Sequence, residues 1–110
     1  MSQQKKTRQQ SLEELINANP EHAFARYGLA MECIKSGDNE SARDHFHKLL
    51  SFHPNYLAAY LHYGLVLKKL ARAFEAQEVL KAGIEVARET GNDHARSELE
   101  AALNEIANAS

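Results

Sequence analysis

The chain has one cysteine, two prolines, five glycines and no tryptophan. A lone cysteine, Cys33, cannot form an internal disulfide, and it suits a reducing compartment; the expected location is the cytoplasm. No apolar run approaches the roughly 20 residues needed to cross a bilayer, so no membrane partner is expected. The opening MSQQKKTRQQ is basic and polar, with no apolar stretch after it, so it does not read as a secretory signal. Aromatic residues do not interleave the basic ones, which argues against nucleic acid as a partner. There is no glycine-rich phosphate loop and no carboxylate pair in an apolar setting for acid–base work. No segment alternates polar and apolar residues between turn signals, so no strands are expected.

Histidine is abundant at six residues, yet its spacing is poor for a metal. His45 and His47 diverge by about 200° on a helix, and the others fall near different helix ends without Cys or carboxylate at ligand spacing. Cys33 has no His or helix start beside it to make a thiolate. The expectation is a chain with no metal, no cofactor and no catalytic residues.

What is present is a period. Asn19-Pro20 and His53-Pro54 lie 34 residues apart, and so do Ala42 and Ala76, Phe46 and Leu80, and Leu50 and Ile84. Each proline lacks an amide hydrogen and restrains the residue before it, so each ends one helix and begins a connection. Ser36-Gly37-Asp38 reads as a helix stop followed by a start, and Gly91-Asn92-Asp93 repeats that logic. Six helices are predicted, near 7–18, 22–36, 39–52, 56–71, 73–89 and 93–108. The 44% apolar content suits one small domain. Charge is uneven: residues 1–10 carry +3 (Lys5, Lys6, Arg8), and residues 89–110 carry −4, from five acids against Arg96. Solvated ends explain this, and so would head-to-tail contact between copies.

The second unit, Tyr60-x-x-Tyr63-Gly64-x-x-Leu67 followed by Ala76, Leu80, Gly83 and Ile84, resembles the tetratricopeptide-repeat (TPR) signature. The first offers Leu29-Ala30-x-x-Cys33, then Ala42, Phe46, Leu49, Leu50 and Pro54. Small residues at Ala30, Gly64, Ala42 and Ala76 would let two helices approach closely, with large ones filling the space around them. Leu12, Leu15, Ile16 and Pro20 match the second helix of a truncated preceding repeat. The tail GIEVARETGNDHARSELEAAL is similar to the closing segment of small stand-alone bacterial TPR proteins.

The resemblance implies an all-α fold, a right-handed helical-repeat solenoid of antiparallel helix pairs. It would hold two full repeats near 21–54 and 55–90, an N-terminal half-repeat helix and a capping helix at 93–108. One domain would span 7–110 behind a basic flexible tail at 1–6. Three departures stand out. Arg26 replaces a bulky apolar residue, Ala71 the usual turn glycine, and Arg88 the expected proline, so the fifth helix should run on to Thr90 and stop at Gly91.

The family binds proteins or peptides in a concave groove lined by the first helix of each pair. A gapless alignment of the repeats puts Phe24, Tyr27, Met31 and Ile34 on a groove-facing stripe, and Ala58, Leu61, His62, Leu65 and Lys68 at the matching places in the second unit. An alternative register pairs Phe24-x-x-Tyr27-Gly28-x-x-Met31 with Tyr60-x-x-Tyr63-Gly64-x-x-Leu67 and makes the first set ordinary core. Near the third groove helix, Arg96 joins the candidates. Many TPR co-chaperones clamp a C-terminal carboxylate with Lys, Asn and Arg at groove positions; this chain carries Tyr27, Met31, His62, Asn92 and Arg96 there, and only Arg96 matches. The expected function is therefore a non-enzymatic scaffold that holds a peptide or partner helix against Phe24, Tyr27, Met31, Leu61, His62, Leu65, Lys68 and Arg96. The same trough buried in a homodimer is the alternative.

Overall fold

The computed structural model describes residues 5–109, so the first four residues of the expected flexible tail lie outside the described residues. The described chain is all-helical: α1 Arg8–Ala18, α2 Ala23–Ser36, α3 Asn39–Phe52, α4 Leu57–Lys69, α5 Ala73–Thr90 and α6 Asp93–Ala109. Polar side chains start α1, α2, α3 and α6 by satisfying otherwise orphaned amides, whereas α4 and α5 begin without a side-chain cap. Thr7 and Gln10 form a reciprocal capping box on α1. Asp38 accepts from the Ser41 amide on α3, and Asn92 accepts from the Ala95 amide on α6.

Three helices stop in one way. Gly37, Ala71 and Gly91 adopt the left-handed conformation, with φ of 83°, 61° and 69°. In each case the next amide reaches back to a carbonyl in the last turn: Asp38 to Cys33, Arg72 to Leu67, Asn92 to Ala87. α4 therefore ends at Lys69, two residues before the expected end, because Ala71 turns the chain as glycine does elsewhere. α5 has no proline at Arg88 and runs to Thr90 before Gly91 ends it.

Successive helices pack as antiparallel neighbours, α2 on α3, α4 on α5 and α5 on α6, while α4 also touches α6. Ala42 and Ala76 are fully buried, and Phe46, Leu49, Leu67 and Leu80 fill the hairpins around them. Close approach is a steric requirement at Gly83, where an added Cβ would lie 2.6 Å from Tyr60 Cβ. The elongated stack measures 56 × 29 × 21 Å, and its radius of gyration of 15.2 Å exceeds the roughly 13 Å of a compact chain of this length.

The repeats superimpose on the gapless register. Ala25, Leu29 and Ala30 are buried as are Ala59, Tyr63 and Gly64, 34 positions later. Gly28 faces Leu12 of α1, whereas Gly64 faces Leu80 within its own hairpin, so the two glycines are not equivalent. Arg26 takes the buried place of Tyr60. The arginine is only 7% exposed, and its guanidinium donates to the Pro20 carbonyl at 2.9 Å, as the Tyr60 hydroxyl donates to the Pro54 carbonyl.

Two of the three cations at the basic end meet carboxylates further along the chain, whereas the acidic end keeps its excess charge. Lys6 pairs with Glu14 at 2.7 Å and Arg8 with Glu32 at 3.1 Å. On α6, Arg96 lies 3.8 Å from both Asp93 and Glu100.

Candidate functional site

The first helices of successive pairs, α2 and α4, together with α6, present one face of the stack, and α4 is its middle rail. Two cavities flank α4. One, of about 350 Å³, lies between α2 and α4 and is lined by Ile34, His62, Leu65, Val66, Lys68 and Lys69. The other, of about 270 Å³, lies between α4 and α6, lined by Leu57, Ala58, Leu61, His62, Ala95, Glu98 and Leu99. His62 belongs to both, so the cavities meet across its ring.

Helical spacing explains this arrangement. Residues 58, 61, 62, 65 and 69 recur at three- and four-residue intervals and so lie along one side of α4. The opposite side, Tyr60, Tyr63, Gly64 and Leu67, is committed to the core. α4 is apolar around most of its circumference, and that surplus creates the site.

Tyr27, Met31, Leu61, His62 and Leu65 are all half-buried. Tyr27 is the most embedded by its ring contacts: its centroid lies 5.3 Å from Tyr56, 6.1 Å from His62 and 6.3 Å from Phe46. It bridges α2, α3 and α4, and its contact with Phe46 gives it the packing role that the alternative register had offered, although the repeats follow the gapless one. Burial, then the neighbouring Tyr56, pushes its hydroxyl pKa up, keeping it a neutral donor. Burial pushes His62 down towards the neutral imidazole, against a smaller opposing pull from Glu98.

Phe24 lies apart from both cavities. It is 57% exposed at the start of α2, with its ring 6.5 Å from His22. Lys68 sits at the rim of the first cavity beside Lys69.

Arg96 lines neither cavity. The cause is a change of period. α2 and α4 begin 34 residues apart, at Ala23 and Leu57, but α4 and α6 begin 36 apart, at Leu57 and Asp93. The longer α5 shifts the register by two, so Arg96 falls where Tyr60 and Arg26 fall, and the residue matching His62 is Glu98. Glu98, Ala95 and Lys69 are the groove residues that the sequence reading missed. The signal for Glu98 was already in hand, since Arg88 in place of proline lengthens α5.

Cys33 is a half-buried thiol whose pKa is pushed up by burial and then by the negative field of Asp38, Glu13 and Glu32, which keeps it protonated. Among the described residues no helix is long and apolar enough to cross a membrane.

No protein-family model matches the chain. A crystal structure of a tetratricopeptide repeat domain protein from Salinibacter ruber is 34% identical, with a TM-score of 0.77, covering 82% of this chain and 100% of that one. The chain belongs to the tetratricopeptide-repeat family. A Bordetella parapertussis protein shares the TPR-like fold at 20% identity, with a TM-score of 0.81 over 96% of this chain and 91% of that one. The aspartyl/asparaginyl beta-hydroxylases of Mus musculus and Homo sapiens are 31% identical over 86 residues, 78% of this chain. The chain spans only 12% and 11% of the length of those two proteins. TPR membership makes the molecule a helical-repeat scaffold of the protein-interaction kind.

Proposed function

We propose that this TPR chain acts by binding, and that its ligand is a peptide or partner helix seated across α4 in the two joined cavities. The observation that carries this reading is the pair of open, largely apolar cavities meeting at His62, on the face left over after the core has taken the other side of α4. Leu61, His62 and Leu65 supply the apolar floor and Lys68 a charged rim, while Tyr27 and Met31 line neither cavity and stand beside them on α2, packed against the core. Phe24 stands at the edge of this face, available to a ligand that extends past the start of α2. Arg96 steadies α6 through Asp93 and Glu100 and is withdrawn from the contact set. Binding without chemistry suits the site: its ionisable groups are one neutral imidazole, one carboxylate and two lysines, and the protonated Cys33 is no nucleophile.

The test is a peptide-display selection on the full chain, followed by titration of enriched peptides against a Leu61→Ser/Leu65→Ser variant. Binding should fall at least tenfold while far-UV circular dichroism keeps its helical signal, because both side chains face the groove. Binding should persist in 0.5 M salt with a loss of only a few-fold, since apolar contact dominates. Peptides that bind the double variant as tightly as the parent would overturn the reading. Sedimentation at micromolar concentration separates the other occupant: a dimer that the same substitutions dissolve would mean that a second copy fills the trough.

A further inference from the structure

The two ends of the groove differ in charge. Six of the eleven Lys and Arg side chains from Arg8 onward meet a carboxylate: Arg8 with Glu32, Arg43 with Glu40 and Asp44, Arg72 with Glu40, Lys81 with Glu78, Arg88 with Glu85, Arg96 with Asp93 and Glu100; Arg26, Lys35 and Lys48 meet none among the described residues but line neither cavity. Lys68 and Lys69, at the mouth of the α2–α4 cavity, meet none among the described residues. Both are the last residues of α4, where a cation also complements the helix dipole. That role does not engage their ammonium groups, because backbone amides close this helix end: Leu70 donates to Val66, Ala71 to Lys68 and Arg72 to Leu67. The α4–α6 cavity carries the opposite sign through Glu98. An apolar cavity with two unpaired ammonium groups at its lip, and a carboxylate at the far end of the trough, is complementary to a ligand of matching polarity.

Resting on the binding function proposed above, we infer that the ligand is an extended segment with two apolar anchors, carrying an Asp or Glu side chain next to the anchor that enters the α2–α4 cavity. The residues that line the two cavities are offset by about 10 Å along α4 at 1.5 Å per residue, and the cavities lie on opposite sides of that helix, so their separation is greater than this. An extended chain needs at least about three residues to cover it, which sets a lower bound on the anchor spacing. Glu98 disfavours a second carboxylate at the other anchor, so the charge pair fixes the direction in which the segment lies. Lys68 and Lys69 select; the apolar floor supplies most of the affinity.

A display library of random 12-residue peptides, panned on the full chain, tests this, with Lys68→Glu/Lys69→Glu and Leu61→Ser/Leu65→Ser panned in parallel. Both lysines are exposed, so the charge reversal leaves the fold intact, as circular dichroism will verify. The expected result is enrichment of Asp or Glu within one or two positions of one apolar anchor. In the charge-reversed variant that preference should switch to Lys or Arg, and a peptide selected on the parent should bind it at least tenfold more weakly. The acidic preference should fade in 0.5 M salt while anchor binding persists. Peptides that depend on Leu61 and Leu65 but show no acidic preference and no response to charge reversal would overturn this inference and leave the groove function standing. An absence of any peptide dependent on Leu61 and Leu65 would overturn both.

Discussion

Ala71 holds a left-handed backbone conformation that a side chain normally disfavours by about 1–2 kcal/mol. It persists because the closing hydrogen bonds from Ala71 and Arg72 and the packing of α5 behind it over-determine the turn. Ala71→Gly should therefore raise stability by about 1 kcal/mol, after allowing for the extra freedom glycine gives the unfolded chain. Gly37→Ala at the equivalent turn should lower it by a similar amount, and urea midpoints would show the opposite signs. Arg26 is a second residue at odds with its place. A buried guanidinium with no carboxylate beside it, and with its Nε unpartnered, sits where the next repeat uses a tyrosine. Its Nη1 lies 3.3 Å from His45 Nδ1, and Nη2 reaches the Pro20 carbonyl. Arg26→Tyr should retain the bond to Pro20 and remove the desolvated charge, gaining about 1–2 kcal/mol. A lower melting temperature would mean that the contact with His45 outweighs that desolvation.

The six helices are not equally anchored. α1 docks on α2 through a small separate cluster of Leu12, Ala25 and Leu29, with Ile16 against it. α6 joins the main core through Leu99, Ala102 and Ile106, and Leu99 reaches the close contact between Gly83 and Tyr60. In a repeat stack each unit covers the apolar face of its neighbour, so the cap carries stability for α4 and α5 as well as for itself. Deleting residues 92–110 should lower Tm by at least about 10 °C, because the apolar surface of α4 and α5 that Leu99, Ala102 and Ile106 cover is left open to water. An unchanged melting curve would make α6 a dispensable appendage. Native-state hydrogen exchange should show the same asymmetry, with α1 amides exchanging faster than those of α6.

At the scale of the whole molecule, burial holds His45 and His62 towards the neutral form, with Arg26 adding to the effect at His45. Their unfolded pKa is about 6.5, so between the folded and unfolded values the unfolded chain binds more protons and stability rises with pH. The contribution is complete above pH 6.5 or so and is lost as pH falls through the depressed folded values. Urea midpoints measured from pH 8 to pH 5 should decline, and His45→Gln/His62→Gln should flatten that decline. A parent curve already flat over this range would mean that neither ring is shielded. The helix count, the TPR repeat and the stop at Gly91 were determined by local chemistry: prolines without amides, glycine turns, capping side chains and a 34-residue period. Helical spacing alone puts Leu61 and Leu65 on a face of α4 away from Tyr60, Tyr63 and Leu67, and both line the flanking cavities. Tertiary structure decided the rest. Whether Arg96 or Glu98 faced the groove depended on a period two residues longer, because α5 has four residues more than α3 and the connection after it two fewer, which shifts every later side chain relative to α4. Tyr27 became part of the core as well as the groove because Phe46, Tyr56 and His62 converge on it from two other helices. The paired charges at the chain ends, and the unpaired lysines at the groove mouth, follow from which neighbours lie within reach, and that distance exists only in the folded stack.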